Sequence, residues 1–141
     1  MAIHPDEPDL PLLERNRWRW VSPRTHVASM DGYRNYVQQS RGECTPVKHG
    51  YAAGVTGWFS DRSACYLAAG RPVVMQETGL SRHVPTGEGL LTFTDTDSAV
   101  AALRSVEEDY ARHAHAARAF ARQFLDSDKV LNRLWELAVP S

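Results

Sequence analysis

The chain has 141 residues, of which 43% are apolar, enough to build one domain around a packed core. Sixteen basic residues against seventeen acidic ones leave a net charge of -1, so nucleic acid, which calls for a clustered basic face, is not expected as a partner. The apolar stretches are short, and the amino terminus carries His4, Asp6, Glu7 and Asp9 in place of a basic-then-apolar leader, so neither export nor a membrane span is expected. Cys44 and Cys65 lack metal-ligand spacing and read as free thiols in a reducing compartment, which makes the cytoplasm the expected location.

In chain order, the proline-rich, acidic residues 1–16 read as an irregular amino-terminal arm. Arg17-Trp18-Arg19-Trp20-Val21 alternates charged and aromatic residues like a half-buried strand, ended by Ser22-Pro23. Tyr33, Tyr36 and Val37 have helical spacing within Met30–Ser40, with Ser29 or Asp31 available as a cap and Arg41-Gly42 as the end. Cys44–Val47 reads as a brief strand with Pro46 marking its edge, and His49–Trp58 as a loop. Ser60 or Asp61 caps a helix to about Ala69, Gly70 stops it, and Arg71–Met75 forms an apolar strand. A loop from Gln76 to Glu88 leads to a strand at Leu90–Phe93. From Asp97, Ala99, Val100, Leu103, Val106, Tyr110, Ala114, Ala117, Ala121 and Phe124 give one helical core stripe. Asp126 or Ser127 then caps a last helix with Val130, Leu131, Leu134 and Trp135 on one side. Helix, glycine and strand in this order predict an α/β fold: a parallel sheet flanked by helices, with a helical carboxyl terminus.

The run Ser40-Arg41-Gly42-Glu43, Gly57-Trp58-Phe59-Ser60-Asp61-Arg62, Tyr66-Leu67-Ala68, Gly70-Arg71-Pro72-Val73-Val74, Thr78-Gly79 and Gly87-Glu88-Gly89-Leu90 resembles the carboxyl-terminal domain of bacterial glycosyltransferases of the two-Rossmann-domain (GT-B), family 1-like type. The resemblance covers roughly residues 17–138. It implies that residues 17–141 form a single, partial Rossmann-like domain that binds a nucleoside-diphosphate sugar as substrate for glycosyl transfer, with no metal and no other cofactor. It also implies a diphosphate site at Ser60, Asp61, Arg62, Thr78 and Gly79, with Arg62 as the phosphate-pairing cation and Thr78-Gly79 closing over the leaving group. Glu43, Lys48, Trp58, Phe59 and Tyr66 are further candidate donor contacts, and no catalytic residue is assigned. Two positions depart from the family: Cys65 and Gly57 stand where many relatives place a pair of glutamates, one of them bound to the ribose hydroxyls. The family's acceptor domain and the first strands of its second domain have no counterpart in this chain. The chain is therefore expected to act as the distal part of a larger or split enzyme, beside a complementary Rossmann domain, or to self-associate through an exposed sheet edge. The competing reading is a non-catalytic nucleotide- or protein-binding module, or an inactive fragment.

Each candidate also has a plainer reading. Arg62 is either the phosphate cation or a surface residue paired with Asp61 or Glu77, and Asp61 is better read as a helix cap than as a base. Glu43 touches the donor or lies on a solvated turn, and Lys48 and His49 flank a loop that can face the cleft. Trp58 and Tyr66 read as packing residues before they read as stacking platforms. His113 and His115, two apart on a helix, make a poor metal pair; Glu88 reads as a turn residue and Cys65 as a buried, inert thiol.

Overall fold

The computed structural model describes residues 8–139. The chain separates into two compact units, Met1–Gln39 and Ser40–Ser141. The first unit contains α1 (Leu10–Arg15), α2 (Pro23–His26) and α3 (Met30–Gln39). Pro11 and Pro23 lie in the first turns of α1 and α2, where a missing amide costs no helical hydrogen bond. Part of the supposed irregular arm is therefore helix; residues 1–7 lie outside the described residues. The strand expected at Arg17–Val21 is reduced to an isolated bridge at Val21. Instead α1 closes in a left-handed turn at Arg17 (φ 64°), whose amide donates to the Glu14 carbonyl at 2.9 Å while the Trp18 amide donates to that of Leu13 at 2.9 Å. This is the Schellman pattern, so the alternation of arginine and tryptophan follows a helix cap and not a pleat.

The second unit is α/β. Strands β1 (Glu43–Thr45), β2 (Val73–Gln76) and β3 (Leu90–Phe93) form a parallel sheet in the order β1-β2-β3. The first strand is thus one residue earlier and shorter than Cys44–Val47, and the second begins two residues after Arg71. Between β1 and β2 run α4 (His49–Ala53), inside the stretch read as loop, and α5 (Asp61–Ala68); between β2 and β3 there is only a single 3-10 turn, Leu80–Arg82. The register pairs Glu43 with Val73 and Thr45 with Met75, so alternate residues share a face. Arg62 of α5 bonds to Glu43 and Thr45, which places α5 on that face. The opposite face carries Val74 and Leu91, packed with Ala102 and Val106 of α6 (Thr96–Glu108) and flanked by Phe93 and Tyr110.

The long stripe read from Asp97 onward is two helices. Asp109 leaves the helical region (φ -142°, ψ 68°) and caps α7 (Tyr110–Phe124), accepting from the Arg112 amide at 3.1 Å. α7 packs against α5 and reaches β3. At the joint, the Tyr110 hydroxyl donates to the Arg41 carbonyl at 2.7 Å and accepts from Arg71 Nη1 at 3.1 Å, while the Arg41 guanidinium lies 4.2 Å from the Tyr110 ring centre and grips Glu107 at 2.6 and 2.7 Å. His113, fully buried, accepts from the Gly89 amide at 3.3 Å through Nδ1, and its Nε2 faces Ser105 Oγ at 3.3 Å. It is thereby a brace between α6, α7 and the start of β3.

One further expectation is corrected. Cys65 is exposed, because it falls on the outward side of α5 while Ser63, Tyr66 and Leu67 turn inward. Glu88 lies, as expected, in the bend ahead of β3, and there it is held by Arg112 at 2.8 Å. The apolar side of α8 (Ser127–Ala138) is not covered among the described residues: Leu131 and Leu134 are each 60% exposed and Trp135 68%.

Gly89 tests the packing of α7 on the sheet. Its φ is +72°, and a Cβ there would lie 2.3 Å from the Ala117 backbone nitrogen, a contact that no side-chain motion relieves. Gly89→Ala is expected to lower stability by about 2 kcal/mol or more, read as a fall in the urea midpoint.

Candidate functional site

In a parallel sheet, ligands gather at the carboxyl ends of the strands, because the helices that follow begin there and aim their unpaired amides outward. Here that edge is built from the segment after β1, the turn after β2 and the start of α6. The β1 segment folds over the β2 turn. Thr78, fully buried, donates from Oγ1 to the Trp58 carbonyl at 2.8 Å, and its own carbonyl accepts from the Gly57 amide at 2.7 Å. Trp58 stacks on Tyr51 of α4 with ring centres 5.0 Å apart. Val55 has φ 47°, an uncommon conformation for a β-branched residue, and it lies so close to Gly79 (φ 92°) that a Cβ on Gly79 would come within 2.6 Å of Val55 Cγ1. Thr78 and Gly79 therefore lie beneath the loop, with the Thr78 side chain buried and the Gly79 α-carbon against Val55.

The helix-start candidates bond to one another. Ser60 caps α5, accepting from the Arg62 amide at 3.2 Å, and the Asp61 carboxylate accepts from the same amide at 2.7 Å. The Arg62 guanidinium reaches β1. Nε donates to Glu43 Oε1, and Nη2 donates to Thr45 Oγ1 at 2.6 Å. Glu43 is on a strand and not a solvated turn, with its side chain only 6% exposed; its Oε2 finds no hydrogen-bond partner among the described residues. A carboxylate so far out of water needs that cation, so Arg62 is committed first to joining α5 to β1. Lys48 and His49 are exposed at the start of α4, Phe59 is half-buried, and Tyr66 is a core residue, 5% exposed, that donates to Ser40 Oγ at 3.4 Å.

Open polar chemistry lies beside this, over β2 and β3. Ala52 and Val55 on one side and Gln76, Glu77, Ser81, Arg82 and Thr94 on the other line a groove of about 380 Å³, with Gly79 in its wall. Glu77 Oε1 accepts from the Gly79 amide at 2.6 Å and the Ser81 amide at 3.4 Å. Burial works to raise the Glu77 pKa, but hydrogen bonds from the Ser81 and Thr92 side chains and from the two amides together hold it below the ordinary value. Gln76 Oε1 accepts from the Val47 amide at 3.2 Å, tying the β1 segment to the groove. Arg82 is exposed, and among the described residues its guanidinium makes no ion pair. Sequence reasoning missed Gln76, Glu77, Ser81, Arg82 and Thr94. The available signal was their position directly after an apolar strand. Among the described residues no group of three or more His, Cys, Asp or Glu side chains could hold a metal ion, and no helix is long and apolar enough to cross a membrane.

Two outcomes test these assignments. Arg62→Ala should destabilise the fold by about 1.5–3 kcal/mol, toward the lower end because the guanidinium is half exposed, and Glu43→Gln in the same background should recover part of the loss, both read from urea unfolding. Glu77, with its folded pKa depressed, contributes stability that is complete above its ordinary value of 4.5 and disappears as pH falls through the lower folded value. Glu77→Gln should therefore flatten the pH dependence of stability below about pH 4.5 and leave the neutral-to-alkaline side unchanged in slope.

A scan against protein-family models, a search of curated proteins and a search of solved structures each return no match for this chain.

Proposed function

We propose that residues 40–141 form a partial Rossmann-like, donor-binding domain that takes a nucleoside-diphosphate sugar for glycosyl transfer, acting beside a complementary domain that brings the acceptor. The observation that carries the reading is the groove at the carboxyl edge of a parallel sheet, with a hydrogen-bonded carboxylate, Glu77, and an exposed guanidinium, Arg82, on its wall. The resemblance of the Gly57–Arg62, Gly70–Val74 and Thr78-Gly79 runs to family 1-like glycosyltransferases supplies the substrate class.

The structure changes which residues the proposal uses. Arg62 holds Glu43 and is assigned a supporting role, orienting the start of α5. Arg82 becomes the cation for the diphosphate, since guanidinium donors match phosphate oxygens, and Lys48 adds positive charge where the β1 segment leaves the sheet. Glu77 is suited to accept from sugar or ribose hydroxyls through whatever acceptor capacity its backbone bonds leave. Stabilising a departing nucleoside diphosphate is electrostatic work and asks for no nucleophile from this chain.

A second reading, a non-catalytic module that binds a protein partner, draws on β1, which among the described residues has a strand on one side only. Ligand-observed saturation-transfer NMR against UDP, GDP, ADP and TDP, with the nucleosides as controls, separates the two. The donor reading expects a signal from at least one diphosphate, weakened by about 1.5–3 kcal/mol in Arg82→Ala. Silence across the panel from a folded chain, or binding indifferent to Arg82→Ala, removes the donor site at this groove.

A further inference from the structure

The first unit carries a feature that the donor reading does not use. Residues 12–24 hold four arginines, Arg15, Arg17, Arg19 and Arg24, against one acid, Glu14, in a chain whose net charge is -1. All four arginines are exposed, and with them Trp18 is 50% and Leu12 49% exposed. The α1 cap brings Arg15, Arg17 and Trp18 close to Leu12 and Leu13: the left-handed turn at Arg17 reverses the chain and the Trp18 amide donates to the Leu13 carbonyl at 2.9 Å, while the Trp20 indole donates to Glu14 Oε1 at 2.7 Å. An open groove of about 640 Å³ lies along Glu14, Arg17, Trp18, Arg19, Trp20 and Val21, two cations to one acid.

From this corner we infer that the first unit docks on an anionic lipid surface, with Trp18 and Leu12 entering the headgroup boundary and Arg15 and Arg17 pairing with lipid phosphates. Tryptophan is suited to that boundary because its ring is apolar and its N–H needs a polar partner, and arginine because its aliphatic stem lies along apolar surface while its guanidinium stays with phosphate. Positive charge beside exposed aromatic and aliphatic groups is the complement of such a surface. A nucleic acid would instead call for basic residues tracking a longer backbone. The contact is peripheral and weak, since only a short corner is involved. It is independent of the donor groove.

Arg17 also supplies the cleanest variant. It occupies a position with φ 64°, which glycine adopts without strain, so Arg17→Gly removes the charge while relaxing the turn. The test is co-sedimentation of the full chain with phosphatidylcholine vesicles, and with vesicles in which a third of the lipid is phosphatidylglycerol, at low and high salt. The proposal expects binding only to the anionic vesicles, weakened by salt, about fivefold weaker in Arg17→Gly and about tenfold weaker in Trp18→Ala. Circular dichroism confirms that both variants are folded. Absence of binding, equal binding to neutral vesicles, or binding unchanged in both variants overturns it. So does equally tight, variant-sensitive binding of a single-stranded RNA oligomer, which would make the corner a general polyanion site.

Discussion

The second unit depends on covering β2 from both sides. Val73 and Met75 are fully buried and Val74 is 2% exposed, although they alternate between faces, so neither face of this strand meets water. A central parallel strand of this kind forms only where helices lie on both sides. α6 covers the face of Val74 and Leu91, while α5, packed on α7, covers the face of Val73 and Met75. Among the described residues of this unit, β1 is buried on one face alone. Glu43 and Thr45 turn inward under α5, and Cys44 between them remains exposed. The thin end of the sheet is thus held less by apolar burial than by the Arg62 bonds to Glu43 and Thr45.

The two edges of the sheet have different chemistry. At the amino edge, the segments that enter β1, β2 and β3 are each fastened to the α6–α7 joint: Arg41 and Arg71 through Tyr110, and Gly89 through His113. These bonds link residues far apart in sequence and leave little freedom between the layers. At the carboxyl edge the chain returns through loops, a short helix and a single 3-10 turn, with Val55 in a strained conformation against Gly79. Strain and exposed polar groups concentrate where the helices begin, which is where a parallel sheet offers its ligand groove.

What was legible in the sequence follows the range of the interactions. Leu90–Phe93 is a strand in both readings, and Ser60 caps its helix as its position before an Asp-Arg-Ser run indicates, because both rest on neighbouring residues. The alternation Arg17–Val21 misleads because a helix cap at Arg17 uses the same residue types, and a strand needs a partner that period alone does not reveal. The unbroken stripe from Ala99 to Phe124 misleads for another reason: α6 and α7 both present apolar faces, so the apolar count continues across the Asp109 break. His49–Ala53 has too few helix formers to predict a helix, and the stacking of Tyr51 on Trp58 is a contact that the sequence does not announce.

Arg62 illustrates the limit most sharply. A guanidinium in the first turn of a helix, beside a serine and an aspartate, has the local context of an anion site. Its role is decided by Glu43, nineteen positions earlier, whose carboxylate the sheet register turns under α5. Once that carboxylate is buried, an incoming phosphate at α5 meets Asp61 and the Glu43 charge as well as the cation, and the Arg62 amide is already held by Ser60 and Asp61. Attraction and repulsion there largely offset. Over β2 and β3 the balance differs. The Glu77 carboxylate is turned back onto the Gly79 and Ser81 amides, and Arg82 stands exposed beside it. The polar groups of the carboxyl edge thus divide by strand, with those of β1 and α5 holding the fold together and those beyond β2 facing the groove.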